Sequence, residues 1–200
     1  MLDAGFGTIT YLKSRLLPEA LQPDYTWDAA IAKLGLGVAG RFNAICNRLF
    51  QRVEGQVDEF SANGTALVLR AFPVEVINSV EVRGFTGAVD DFTGGYQLDQ
   101  RAGMMLFSAS PGAATERLVI DYDGGYWLDD GGTMPAGATP LPDDVLEAWV
   151  IQCQAWAEAR KIFGEISLQS LNPKSERPSA LTLATDVAAV LEPYRRFSGE

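Results

Sequence analysis

The hydrophobic period of this chain changes twice, and those two changes limit the folds open to it. From Thr26 to Val53, in TWDAAIAKLGLGVAGRFNAICNRLFQRV, the apolar residues Ile31, Leu34, Val38, Phe42, Ile45 and Leu49 recur at three- and four-residue steps. At about 100° per residue they fall within about 80° of one another, the stripe of an amphipathic helix. From Val57 to Tyr126 the spacing becomes that of roughly six short strands: VDEFSANGTALVLRAF, INSVEVRGF, GYQLD, MMLFSA and RLVIDY follow one another across Gly-rich turns. The Asn63-Gly64 pair in the first of these runs is a strong hairpin signal. From Asp143 to about Phe163 the helical period returns, with Val145, Trp149, Cys153, Trp156 and Phe163 on one stripe. A shorter helix is expected over Thr8–Leu17, stopped by Pro18.

Helices, then strands, then helices specify an α+β fold: a mainly α-helical core with an inserted antiparallel β subdomain. The predicted segments are a helical part over 1–56, the β insert over 57–127, an acidic loop and long core helix over 128–165, and a linker with a C-terminal arm over 166–200. Gly35, Gly37 and Gly40 each weaken the long helix by about 1 kcal/mol relative to Ala. They point either to a closely packed neighbour, within or between subunits, or to a kink.

Between the last strand and the next helix lies YDGGYWLDDGGTMPAGATPLPDDVLEAW, dense in Asp and Gly. A calcium loop counted from Asp121 fails, because its third ligand position is Gly125 and its twelfth is Gly132. A phosphate loop fails as well, since no basic residue occurs from Leu118 to Ala159. The pairs Asp129-Asp130 and Asp143-Asp144 are candidate acid/base groups only if a cleft shifts their pKa values. As structure the stretch reads as punctuation. Gly124 and Gly125 end a strand, Pro140 and Pro142 stop its extension, and Asp143 and Asp144 complement a helix N-terminus.

Charge and composition then exclude several function classes. The net charge is −10, and Glu116–Glu147 holds eight acids against one Arg. A surface this acidic opposes specific binding of DNA, whose affinity rests on Lys and Arg at phosphates. Histidine is absent, which removes His-based triads and the usual His metal ligands. No metal or cofactor is expected, and an enzyme would have to work through paired acids such as Asp129 and Asp143 in a cleft that raises a carboxylate pKa. Cys46 and Cys153 form no CxxC motif; buried free thiols are expected, and their pairing stays open. MLDAGFG lacks the regions of a secretory signal, and no uninterrupted apolar run of about 18 residues occurs, so neither a leader nor a membrane span is expected.

Several residues stand out as contact candidates. Arg41, Arg48 and Arg52, seven and four residues apart, would share one edge of the long helix, as a partner-facing row or as ion-pair donors to nearby acids. Arg160 lies inside an apolar stripe and must find a carboxylate, a carbonyl or a subunit boundary. Tyr96, Tyr122, Tyr126 and Trp127 at strand ends read as core aromatics or as a sugar-stacking face. SLQSLNPKSERPSALT reads as a polar linker or arm. The DVAAVLEPYRR stretch after it, with Val187, Val190, Leu191 and Tyr194 on one face and Arg195 and Arg196 behind, reads as a segment that docks elsewhere.

Taken in order, two N-terminal helices, a β insert opening with FPVEVINSVEV, a strand ending YDGGY, LPDDVLEAWVIQCQAWAEAR and a terminal LEPYRR resemble the head–tail connector (adaptor) proteins of tailed bacteriophages and of related gene-transfer particles. The resemblance spans about Thr8 to Arg196. It implies a ring, commonly of twelve copies, seated beneath the portal protein ring in the virion neck, extending the DNA channel and receiving a downstream stopper or tail component. It implies production in the host bacterial cytoplasm, DNA contact only in passage, no enzyme activity, and a C-terminal arm that engages the portal. On that reading Glu54, Asp58, Glu59, Asp129 and Asp130 are candidates for an acidic channel wall, and Arg41, Arg48, Arg52 and Arg160 for subunit contacts. The alternative is a carbohydrate- or protein-binding β module on a helical base.

Overall fold

The computed structural model describes residues 4–85, 87–129, 132–160, 162 and 183–196. They form an α+β fold in which antiparallel sheets are inserted between N-terminal and C-terminal helices. Two compact units result. A helical unit comprises Met1–Cys46, Leu128–Thr133 and Leu141–Arg195; a β unit comprises Asn47–Trp127, Met134–Pro140 and Arg196–Glu200.

In the helical unit, α1 (Ile9–Leu16) starts at Thr8, whose Oγ1 accepts from the Tyr11 N–H at 3.1 Å. It stops at Leu17, which Pro18 forces into an extended conformation. Helix α2 (Asp28–Cys46) follows two short 3₁₀ turns, Glu19–Leu21 and Tyr25–Trp27. Its stripe Ile31, Leu34, Val38 and Phe42 is buried, as the period predicts. By length and composition the stretch Tyr25–Cys46 is apolar enough to cross a membrane, which the count of uninterrupted apolar runs had not indicated. Here that stripe packs in the unit's own core.

Helix α3 (Asp143–Ala159) opens at Pro142 with Asp143 and Asp144 in its first turn. It buries Val145, Trp149, Cys153 and Trp156. Helix α4 (Thr185–Leu191) packs on α3. Of the three glycines of α2, Gly35 is the one that packing requires, while Gly40 has open space around it. A Cβ at Gly35 would fall on the Ala4 carbonyl oxygen and 2.9 Å from the Trp149 ring, whose Nε1–H donates to the Gly35 carbonyl at 3.0 Å. Close packing within the chain is the reason for that glycine. Phe6 bridges Phe42 and Trp149, with centroids 5.9 and 6.2 Å away. Cys46 and Cys153 are both buried thiols with no disulfide, and the Cys46 thiol donates to the Leu191 carbonyl at 3.8 Å.

The long helix ends sooner than its period predicts. Asn47 takes φ +49°, a left-handed conformation that asparagine tolerates, and α2 closes at Cys46. Leu49 and Gln51 then make β-bridges to Ala71 and Tyr126, so the segment through Arg52 belongs to the sheets.

The β unit holds β1 (Val53–Ser61), β2 (Ala66–Val68), β3 (Val74–Arg83), β4 (Val89–Asp91), β5 (Tyr96–Asp99), β6 (Met104–Phe107), β7 (Arg117–Gly124), β8 (Tyr126–Trp127) and β9 (Thr139–Pro140). They pair as β1-β7-β3-β4, as β2-β6-β5, and as a short parallel pair β8-β9. Asn63-Gly64 does not make a hairpin. Neither residue has the positive φ that the favoured two-residue turn requires, and β1 and β2 lie in different sheets. The core gathers Leu69, Val80, Met105, Leu118, Ile120 and Tyr122. At Gly124, paired to both Val53 and Val74, a Cβ would meet the Ala71 carbonyl oxygen, so the crossing admits only glycine there.

Candidate functional site

With the helix ended at Cys46, the proposed arginine row dissolves. Arg41 is the exposed member, on α2. Arg48 is 3% exposed in the β unit. Its guanidinium lies 3.5 Å from the Phe72 ring centroid, 4.7 Å from Phe50 and 5.1 Å from Tyr126, and donates to the Phe72 carbonyl. Arg52 makes a two-pronged pair with Glu75, at 2.8 Å through Nε and 2.9 Å through Nη2, and reaches Glu54 at 2.6 Å. These hydrogen bonds hold the Arg52 pKa above the usual guanidinium value. Arg160 caps α3 and stacks over Trp156 at 4.6 Å. Arg160 is exposed, so the helix ends before the apolar stripe would bury it, and the stacking on Trp156 is made at the surface.

The acidic candidates divide in the same way. Asp58 is 2% exposed and cannot line a channel. Its Oδ2 accepts from the Tyr122 hydroxyl and the Arg70 N–H, both at 2.8 Å, and its Oδ1 from Gln56 at 3.0 Å. The Tyr122 oxygen in turn accepts from the Ala71 N–H at 2.9 Å. Burial, with Asp58 beside it, raises the Tyr122 pKa well above its ordinary value. This network was missed in the sequence, although strand alternation puts Asp58 on the same face as Phe60, a polar residue on a core face. Glu54, Glu59 and Asp129 are exposed, and Asp130 lies outside the described residues. Glu59 shares a cross-strand row with Val119, Glu81 and Asp91, on the sheet face opposite the buried Val80 and Ile120. That face sets acids around a buried Val119, with Arg83 paired to Glu81 at 3.1 Å and Arg117 opposite Arg83.

The arm is seated on its own chain. Val187 and Leu191 are each 1% exposed, the Ala184 N–H donates to Gln152 Oε1 at 2.9 Å, and the Tyr194 hydroxyl donates to Asp144 Oδ1 at 3.0 Å. The stripe expected to dock elsewhere therefore faces α3, while Val190 is half-buried and Arg195 exposed. Arg196, in the β unit, has its pKa lowered by burial, countered by nearby Asp58 and Tyr122. The linker read at 167–182 lies outside the described residues.

Tyr122 and Tyr126 are 0% and 8% exposed and belong to the core, whereas Tyr96 is 39% exposed and Trp127 half-buried, so the four do not share one open face. Among the described residues no group of three or more Cys, Asp or Glu is arranged to hold a metal ion. One of the two acid pairs is engaged structurally, with Asp144 accepting from Tyr194 and from the Val145 N–H. A pocket of about 470 Å³ opens in the helical unit, lined by Ile9, Thr10, Lys13, Pro23, Tyr25 and Asp28 among others.

No family model matches the chain, and no curated protein does. Solved structures do. A chain of the neck of an empty GTA particle, computed with C6 symmetry, aligns over 100% of this chain and 94% of its own, at TM-score 0.61 and 14% identity. A chain of the virion of a native gene transfer agent (GTA) particle aligns over 96% and 90%, at TM-score 0.58 and 14% identity. At such identity the likeness is one of fold, and it runs through both units: the resemblance drawn from the sequence reappears in the architecture, which this chain shares with chains of gene transfer agent particles.

Proposed function

We propose that this chain is a structural component of the neck of a phage-like or gene transfer particle: a head–tail adaptor that assembles in copies beneath a portal ring, extends the DNA channel and receives the next tail component. The observation that carries the reading is the full-length likeness to a neck chain from a particle computed with C6 symmetry. Copies repeated about an axis are placed to contact one another, and a twelve-copy ring is compatible with sixfold symmetry. The role needs positioning and self-association, and no bond chemistry.

Electrostatics favour the same reading. A conduit should let phosphates pass without counterion-releasing contacts, and an acidic wall withholds them. Glu54, Glu59 and Asp129 remain the candidates, joined by Glu81 and Asp91 on the acidic sheet face. Asp58 leaves the set because it is buried. For the arm, Val190 and Arg195 are the side chains presented for portal contact, while Val187 and Leu191 hold α4 in place.

The test is to mix the full-length protein with portal rings from candidate particles and image the product. A coaxial ring of this chain on the portal, with the acidic sheet face toward the lumen, is the expected result. Portal rings that stay bare at saturating protein would overturn the adaptor role. A ring with that face on its outer rim would overturn the channel assignment alone.

A further inference from the structure

Helix α2 is largely apolar on both sides, yet one side stands open. Only 44% of its most apolar stretch is buried. The side away from the core carries Lys33, Leu36, Gly40, Arg41 and Ala44, all exposed, with Leu36 at 49%. At about 100° per residue these five share one face. A helix with water on its outer side is ordinarily polar there, and one that is apolar all round is ordinarily covered. Gly40 adds a second sign. Nothing of its own chain lies within 4 Å of where a Cβ would stand, and a glycine weakens the helix relative to alanine, so no contact inside the chain accounts for it.

The charge on this face narrows what covers it. On a chain of net charge −10 the face holds two bases, Lys33 and Arg41, and no acid. Its complement lies on the outer side of α4. Val187 and Leu191 hold α4 on its own unit, which leaves Asp186, Ala188, Ala189 and Glu192 exposed. That side carries two acids around two alanines. Glu192 already meets the exposed Arg195 at 3.0 Å, a surface pair that contributes little. The two faces do not meet within one chain. The Leu191 carbonyl accepts from Cys46, on the buried side of α2, so α4 lies on the side away from Gly40.

We infer that the outer face of α2 in one copy packs against the outer face of α4 in the next. Leu36, Gly40 and Ala44 meet Ala188 and Ala189, and Lys33 and Arg41 lie beside Asp186 and Glu192. Small side chains on both helices allow the close approach, and the charges favour this pairing over α2 against α2. The faces occupy different surfaces of the chain, so the contact is heterologous and, repeated, closes into a ring when its rotation allows. The inference rests on the ring reading above and adds to it the helices that join neighbour to neighbour.

The test mixes two full-length forms, Gly40→Cys and Ala189→Cys, on portal rings, images the product and then oxidises it. A disulfide joining one form to the other is expected, and neither form should crosslink alone, because Cys46 and Cys153 are buried. In parallel, Gly40→Leu should weaken ring assembly about tenfold. Its free chain should melt no lower than the unmodified one, since the position is open and leucine is the better helix former. Reversing Lys33 and Arg41 to Glu should weaken assembly as well, and reversing Asp186 and Glu192 to Lys in the same chain should restore it. Rings that form without the disulfide between the two forms, or that link Gly40→Cys to itself or to a portal protein, overturn this contact and leave the adaptor role standing. Gly40→Leu rings that form as readily as unmodified ones do the same. Flotation of the unmodified chain with phosphatidylcholine–phosphatidylglycerol vesicles, lost in Arg41→Glu, would assign the face to a lipid surface and overturn it too. If no ring forms with the unmodified chain, the ring reading fails and this contact fails with it.

Discussion

In the helical unit the packing centres on an aromatic ring brought in from far along the chain: the Trp149 indole lies on Gly35, donating one hydrogen bond to its carbonyl, with Phe6 beside it. In the β unit the corresponding place is taken by polar and charged groups: the Asp58 carboxylate under Tyr122, and the Arg48 guanidinium among three aromatic rings. The first arrangement draws mainly on area removed from water and on close packing. The second draws on groups that are costly when any partner is lost. The two units should therefore fail differently. In the helical unit the loss should follow volume, and in the β unit it should follow hydrogen-bond partners.

The largest effect is expected at Trp149, which is fully buried. Trp149→Ala should cost about 3–5 kcal/mol in urea unfolding followed by circular dichroism. A loss below about 1 kcal/mol would show that the helical unit does not depend on this packing. Next comes the polar pair. Asp58→Ala should cost about 2–3 kcal/mol and Tyr122→Phe about 1–2 kcal/mol, because each strands a buried donor or acceptor. Their effects should be less than additive in a double-mutant cycle. Burial raises the Tyr122 pKa, so the folded state retains the phenolic proton after the unfolded chain has lost it near its ordinary value of about 10. That stabilisation is fully present below about pH 10 and is lost as pH rises through the folded value. Tyr122→Phe should flatten the alkaline decline.

A smaller effect belongs to Arg52. Its two-pronged contact with Glu75 joins side chains 17% and 11% exposed, so Arg52→Ala should cost up to about 1 kcal/mol, and less at high salt. An unchanged urea midpoint at low salt would mark the pair as dispensable.

The same contrast explains what was legible in the sequence. Helical periods are local, so Ile31, Leu34, Val38 and Phe42 announced α2, and PDDV announced the start of α3. The end of α2 was not local: Leu49 leaves the helical stripe, with Gln51 after it, where Ala71 and Tyr126 offer strand partners. Asn63-Gly64 misled for the same reason, since β1 and β2 pair with β7 and β6, strands more than thirty residues further on. The arm was read correctly as amphipathic, but its period does not say which surface it covers. Val187 and Leu191 find that surface on α3. Removing the chain after about Ser179 would uncover that part of α3.

The smallest effect sharpens the comparison most, because it concerns a carboxylate on the β unit that is not buried. Asp123 accepts from the Gly55 N–H at 2.8 Å and from Asn78 at 3.0 Å. Those hydrogen bonds lower its pKa below the ordinary carboxylate value, the backbone N–H contributing most. A lowered folded pKa gives stability that is present above the unfolded value, near 4, and is lost as pH falls through the folded one. Water screens the site, so the contribution should be only a few tenths of a kcal/mol, about the size of an exposed pair. Asp123→Asn should therefore leave stability near neutral pH almost unchanged and make the urea midpoint fall less steeply below pH 4. Should Asp123→Asn instead cost as much as Asp58→Ala, hydrogen-bond count and not burial would set the sensitivity of the β unit, and the contrast between the two units would have to be redrawn on that basis.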